Sequence, residues 1–268
     1  MKKSNKANKA KRMTKKEIYA SFGILFDGKK LFHPVYGWIN PLLIDGNAKI
    51  GKSCYHFSTL PTRKEFTVIV NEISYTLSGT CKCNCVGCYA EKGNYRYQST
   101  KNALGMRTLV IRNDIQWFIN AVMAQIIADK IKLVRIHAAG DFDSLEYVKA
   151  WQYIVEHNPS VVFWTYTKVK EYENAFDNYS NANIVKSIIP EIGLNFGHCD
   201  YIENAYHTLK KAGKKVHICH CGVDDNKHCT NCKGCSQNEY VLFLEHSTDY
   251  QAKKDALYAK FAEMVLAQ

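Results

Sequence analysis

A chain of 268 residues that is 46% hydrophobic, 23% charged and 12% aromatic has the balance of a folded protein of one large domain or two small ones. It lies far from the polar, charge-rich composition of disordered chains. The net charge of +11 is concentrated at one end, since Lys2, Lys3, Lys6, Lys9, Lys11, Arg12, Lys15 and Lys16 all precede the first acid, Glu17. A basic arm over residues 1–17 suits contact with a phosphate backbone, so nucleic acid is the partner expected there; the alternative is a solvated terminus that aids solubility.

Residues 18–26 are apolar but lie between Glu17 and Asp27 with no small-residue cleavage site, which argues against a secretory leader. The longest apolar stretch, residues 117–128, contains Asn120 and Gln125 and falls well short of the ~20 residues that span a bilayer. The expectation is a cytoplasmic protein with no membrane partner.

The eleven cysteines fall mostly in two clusters, Cys81, Cys83, Cys85 and Cys88, then Cys219, Cys221, Cys229, Cys232 and Cys235, with Cys54 and Cys199 apart. Neighbours this close gain almost no loop entropy from disulfides, whereas convergent soft ligands suit a metal ion or an iron–sulfur cluster. Cys54 and Cys199 read as ordinary buried cysteines.

In chain order, residues 68–77 are β-branched and apolar and read as a strand running into the first cysteine cluster. Asn113 is expected to cap a helix that buries Ile115, Phe118, Ile119, Val122, Met123 and Ile126. Residues 133–139 form a second strand ending in Gly140-Asp141, and Ser144 starts a helix with Leu145, Val148, Trp151 and Val155 inward. Residues 161–167 and 188–196 are the third and fourth strands, residues 202–212 a helix stopped by Gly213, and residues 215–218 a fifth strand leading into the second cysteine cluster. This alternation predicts a parallel sheet or partial barrel with crossover helices, over residues 18–218. Residues 219–268 would be a Cys-rich module followed by a strand and a helix.

Such folds place their sites where the loops leave the carboxyl ends of the strands. Alternation puts Arg135, His137 and Ala139 on one face of the second strand, and Trp164, Tyr166 and Lys168 on one face of the third. The two faces suggest a polar cavity, with Arg135 and His137 as candidate catalytic residues. A lone strand histidine is more often structural, while an arginine in a strand needs an anionic partner.

Cys81, Cys85 and Cys88 give C-x3-C-x2-C, which resembles the signature of radical S-adenosylmethionine (SAM) enzymes. That resemblance implies three thiolates holding a [4Fe–4S] cluster, with the fourth iron left open for SAM. It further implies that Ala139, Gly140 and Asp141 receive the amino group of SAM. The family's aromatic residue normally precedes the last cysteine; here Gly87 does, and the aromatic, Tyr89, follows, so Tyr89 is the residue expected against the cofactor. Cys83 is a fourth thiol within reach, with which a closed, inert zinc site is the alternative. Cys229, Cys232 and Cys235 have ferredoxin-like spacing, with Cys221 or Cys219 upstream to complete four ligands. They look like the auxiliary-cluster modules of some radical SAM enzymes, but with His220 and His228 nearby the second site admits iron–sulfur or zinc.

Residues 49–60, Cys88-Tyr89-Ala90, Arg135-Ile136-His137 through Gly140-Asp141-Phe142, residues 147–151, residues 163–168, residues 229–235 and Glu245-His246 together resemble a phage and mobile-element family known as gene product eighty-eight. Some members of that family carry a rolling-circle replication label. A nicking initiator needs a His-hydrophobic-His metal motif, and His217-Ile218-Cys219-His220 has two residues between its histidines. The function expected is therefore a radical SAM-type iron–sulfur protein, generating a deoxyadenosyl radical against a nucleic acid or nucleotide and fed by a reductase or other electron donor. The alternative is a zinc-stabilised or degenerate-cluster protein that binds nucleic acid, or assists replication, without catalysis.

Overall fold

The computed structural model describes residues 12–46, 50–82, 88–187, 196–197, 199–219 and 228–244. The described chain opens with helix α1 (Lys15–Ser21), whose cap Thr14 and Glu17 close a reciprocal capping box. Lys15, Lys16 and Glu17 therefore belong to a helix, and most of the basic arm lies outside the described residues. Strands β1 (Leu25–Phe26), β2 (Leu31–His33) and β3 (Gly37–Ile39) follow as an antiparallel meander.

The scaffold is a four-stranded parallel sheet of β4 (Tyr55–His56), β7 (Leu133–Arg135), β8 (Val162–Thr167) and β9 (Ala182–Lys186), adjacent in that order. Residues 57–59 continue β4 alongside the chain beyond β7: Phe57 N donates to Arg135 O (3.1 Å), Ala138 N to Phe57 O (2.9 Å) and Thr59 N to Ala139 O (3.0 Å). A parallel sheet wound in sequence order, with crossovers of one hand, collects its helices on one face. Helix α3 (Ile115–Asp129) and helix α4 (Leu145–Glu156), which pack on each other, share one core with Val134, Phe163 and Ile184 from the sheet. Phe57, Phe118, Tyr147, Trp151 and Phe163 interlock in that core through edge and tilted ring contacts. No closed barrel forms among the described residues.

Register decides the opposite face. His56 pairs with Arg135, Arg135 with Trp164, and Trp164 with Asn183, and paired residues of parallel strands share a face. This row, with Leu133 below and Tyr166 above, is covered by the Cys-rich segment rather than by α3 and α4. Asn183 Nδ2 donates to Cys235 O (2.7 Å) and Asn238 O (2.8 Å), fixing the short helix α6 (Gly234–Gln237) against the sheet. A second parallel sheet joins β10 (Phe196–Gly197), β12 (Tyr240–Leu244) and β11 (Val216–Ile218). Helix α5 (Cys199–Lys211) packs against it, and it meets β9 where Lys186 N donates to Glu239 O (2.8 Å).

Several sequence expectations are corrected here. The strand expected over residues 68–77 is a hairpin, β5 (Glu65–Val70) paired antiparallel with β6 (Ile73–Ser78), because Asn71 and Glu72 turn at φ 45° and 68°. Two successive left-handed residues make the tight primed turn that hairpins favour. Asp114, not Asn113, caps α3, accepting from Trp117 N (3.0 Å), while Asn113 ends an unforeseen helix, α2 (Gln98–Asn113). That helix escaped notice because residues 104–111 are buried without a break, leaving no polar stripe to mark its period. The strand expected over residues 133–139 stops at Arg135, the fourth strand of the sheet is Ala182–Lys186, and of the strand expected over residues 188–196 only Phe196, in β10, lies within the described residues. The strands at 161–167 and 215–218, the helix started by Ser144 and the helix ending at Gly213 all appear within a few residues of expectation, but Leu145, expected inward, is exposed in the first turn of its helix. No helix among the described residues is long and apolar enough to cross a membrane.

Candidate functional site

The first thiol loop leaves β6 and is tied to the loop after β7 at two points. Thr80 is buried, and its Oγ1 donates to Leu60 O (3.0 Å), lies 2.8 Å from Thr59 Oγ1 and accepts from Asp141 N (3.1 Å). Arg112, from the last turn of α2, grips both oxygens of Asp143 (2.6 and 3.0 Å) and donates to Ser78 O (2.9 Å) and Gly79 O (3.4 Å). Bidentate pairing of this kind fixes orientation as well as distance. Cys81 N donates to Thr62 O (3.2 Å), and Cys88 O accepts from Glu91 N (3.1 Å). Both thiols are half-buried. Cys83 and Cys85, and the side chain of Tyr89, lie outside the described residues.

Gly140 adopts φ +87°, and a Cβ there would fall 1.9 Å from Thr59 Oγ1. The glycine is thus required by the protein's own packing. Asp141 is buried, and its carboxylate is engaged on both oxygens: Oδ1 accepts from Thr167 Oγ1 (2.7 Å) and Phe142 N (2.8 Å), Oδ2 from Lys168 N (2.9 Å). Burial pushes this carboxyl above the ordinary range against the pull of those three donors. Asp141 therefore pins the β7 loop to the end of β8. Lys82 pairs with Glu171 (2.8 Å) and stacks over the Tyr172 ring (4.8 Å), closing the far side of the same loop.

Arg135 and His137 do not share a face. His137 takes φ +60°, which breaks strand alternation and turns its ring into the helical core. There Nε2 lies 3.0 Å from Tyr147 Oη and Nδ1 3.3 Å from Thr165 Oγ1, with Phe142 against the ring. Both nitrogens are committed, so His137 is packed as a core histidine. Burial, with Arg135 second, pushes its pKa down to about 3. The folded state thus keeps this ring neutral while the unfolded chain protonates below the ordinary value of 6.5. Its contribution is complete above that value and is lost as pH falls toward 3. Unfolding free energy should drop by about 2 kcal/mol from pH 7 to pH 5 on this account, and His137→Asn, which tolerates the left-handed backbone, should flatten that slope. Denaturant titrations at the two pH values measure it; equal slopes would refute it.

Arg135 instead faces the Cys-rich segment. Its guanidinium lies 5.1 Å from the Tyr166 ring centre, and Tyr166 Oη lies 2.7 Å from Cys235 Sγ. Cys54, fully buried just before β4, forms one apolar group with Ile50 and Trp164, onto which Leu133, Tyr166, Cys229 and Cys235 pack. Residues 228–232 make a tight turn: Cys232 N donates to His228 O (2.9 Å) and His228 N to Asn231 Oδ1 (2.8 Å). Cys232 Sγ accepts from Gly234 N (3.4 Å) and lies 3.7 Å from His217 Nε2. Gly51, at φ +82°, lets the 50–54 loop meet this turn, because a Cβ would stand 2.9 Å from Thr230 Oγ1 and 3.1 Å from His228 Cβ. Burial first, and Cys229 next, push the Cys54 thiol up to about 12; burial likewise takes Cys235 to about 12. Among the described residues no three His, Cys, Asp or Glu side chains are disposed to grip a single ion. Cys221 lies outside them.

Cys54 is buried as expected, and its packing beside Cys229 and Cys235 carries no sequence signal, because it arises only from the register of the folded sheet.

The profile of the family described as Gene product 88 matches residues 41–259, from the loop before β4 to beyond β12. The chain belongs to this family. Within it, the Gene 88 protein of Mycobacterium phage L5 is 54% identical over 39 residues, 15% of this chain and 16% of that protein. The family is thereby represented in a phage, and the matched stretch spans well under two thirds of that relative. No solved structure matches the chain.

Proposed function

We propose that this Gene product 88 protein is a cytoplasmic iron–sulfur protein of radical SAM type, built on a partial barrel, with Cys81, Cys85 and Cys88 as the ligands of a [4Fe–4S] centre. The observation that carries the reading is the hydrogen bond from Asp141 N to Thr80 Oγ1 (3.1 Å). It sets the thiol loop beside the Ala139–Asp141 loop at the carboxyl end of a parallel sheet, where such folds work. Soft thiolates fit the group. When bound, SAM on such a centre supplies one-electron cleavage chemistry. The chain's own share is to hold and orient: Arg112 and Thr80 fix the loop, Asp141 stiffens its neighbour, and the backbone of Ala139 and Gly140 borders the position where an amino group would be received. Arg135 and His137 act as positioning residues, the first beside Cys235 and the second in the core. The basic N-terminus makes a nucleic acid or nucleotide the substrate class proposed, with a separate reductase as electron donor.

A second reading is favoured by one observation. Gly140 and Asp141 are both taken up by scaffold contacts, as expected if the fold keeps a cluster and has lost the cofactor, serving as a nucleic-acid-binding accessory. Anaerobic purification, iron and zinc analysis and SAM titration separate the two. Iron with SAM-dependent spectral change supports the first; brown protein indifferent to SAM supports the second; zinc at the first loop removes both. Cys88→Ala should abolish iron at this loop while Cys83→Ala retains it. Equal loss from the two would instead indicate a closed four-thiolate site.

A further inference from the structure

We propose that Cys54 is a metal ligand, and that with Cys229, Cys232 and Cys235 it holds a second four-iron cluster, fully thiolate-ligated, between the central sheet and the Cys-rich segment. The inference is independent of the first thiol loop. Cys54 is buried with Trp164 and Ile50 on the face of the sheet turned away from α3 and α4, and Cys229 and Cys235 pack onto the same group. The contact is specified by the backbone as well. Gly51 admits the 228–230 turn, Gly234 admits the His217 ring at 2.1 Å from where a Cβ would stand, and Asn183 holds the carbonyl of Cys235.

Hydrogen-bond donors and a cation lie around the sulfurs. Gly234 N donates to Cys232 Sγ, Tyr166 Oη touches Cys235 Sγ, and the Arg135 guanidinium stands over the Tyr166 ring. Donors and a cation at sulfur are what stabilise an anionic cluster and set its potential. A zinc ion, at Zn–S about 2.3 Å, would draw its thiolates to about 3.8 Å of one another. No three described donors are disposed to hold one ion, whereas a cluster with an iron at each corner spreads its ligands more widely.

The full-length chain carrying Cys88→Ala, in which only the second centre can contribute, is purified without oxygen. It should hold about four iron and four sulfide per chain and give a reduced-cluster paramagnetic resonance signal. Adding Cys54→Ala should remove that iron and signal; adding Cys221→Ala should leave both. Iron retained without Cys54, iron lost without Cys221, or stoichiometric zinc in the parent would each overturn the proposal. Should Cys54→Ala fail to fold, the near-isosteric Cys54→Ser decides: ligation by oxygen moves the g-values, and an unmoved signal refutes ligation by residue 54. First-loop failure is seen separately, as iron content unchanged between the unaltered chain and Cys88→Ala.

Discussion

Gly140→Ala is expected to destabilise the protein by about 2–5 kcal/mol, from two separable causes. The left-handed backbone at φ +87° costs a side-chain-bearing residue about 1–2 kcal/mol. The added methyl must also displace Thr59, whose Oγ1 would be 1.9 Å away, and Thr80, whose Oγ1 would be 2.8 Å away; overpacking of this order costs about 1–3 kcal/mol. Neither hydroxyl is a free arm, since each bonds the other and Thr80 also binds Leu60 and Asp141. Urea unfolding of Gly140→Ala measures the sum. Adding Thr59→Ala should recover the steric part and leave the backbone part, so the double variant should be more stable than additivity allows. A loss below about 1 kcal/mol in the single variant would mean that this loop is not held as described.

The contrast between Gly140 and His137 shows what sequence can and cannot disclose. Helix α4 was legible because Ser144 caps it and its apolar residues recur at helical spacing; β8 was legible because a β-branched and aromatic run is short and bounded. Both signals are local. The face assignment of His137 failed because a single positive φ reverses alternation, and nothing in Arg135-Ile136-His137 announces it. Helix α2 failed because burial on all sides erases the period on which recognition depends. The site divides in the same way. Clustered thiols and Gly140-Asp141 stand out in the chain, but Cys54 gains its neighbours Cys229 and Cys235 only when the parallel register sets β4 beside β7 and β7 beside β8. A cysteine so far from its companions in sequence is joined to them by topology alone.

Asp141→Ala tests whether the acid serves the scaffold or a ligand. Removing the carboxylate leaves Thr167 Oγ1, Lys168 N and Phe142 N without their acceptor, and a buried donor left unsatisfied costs about 1–3 kcal/mol. Part of that is offset, because the carboxylate's own burial, which raises its pKa, is relieved. A net loss of about 3 kcal/mol is expected, with Asp141→Asn milder because an amide oxygen can still accept from Thr167 and Phe142 while its NH2 meets Lys168 N unfavourably. The raised pKa adds a sign that distinguishes this residue from His137. An acid whose folded pKa lies above its unfolded value contributes most below the unfolded value and loses that contribution as pH rises through the folded one. The penalty of Asp141→Ala should therefore change in the opposite direction to that of His137→Asn on acidification. Calorimetric melting with and without SAM reads both roles. Stability lost with SAM binding proportionately weakened fits an acid that positions the loop. Melting unchanged while SAM binding disappears would make Asp141 a direct ligand of the cofactor and would require the Thr167 and Lys168 contacts to open when it binds.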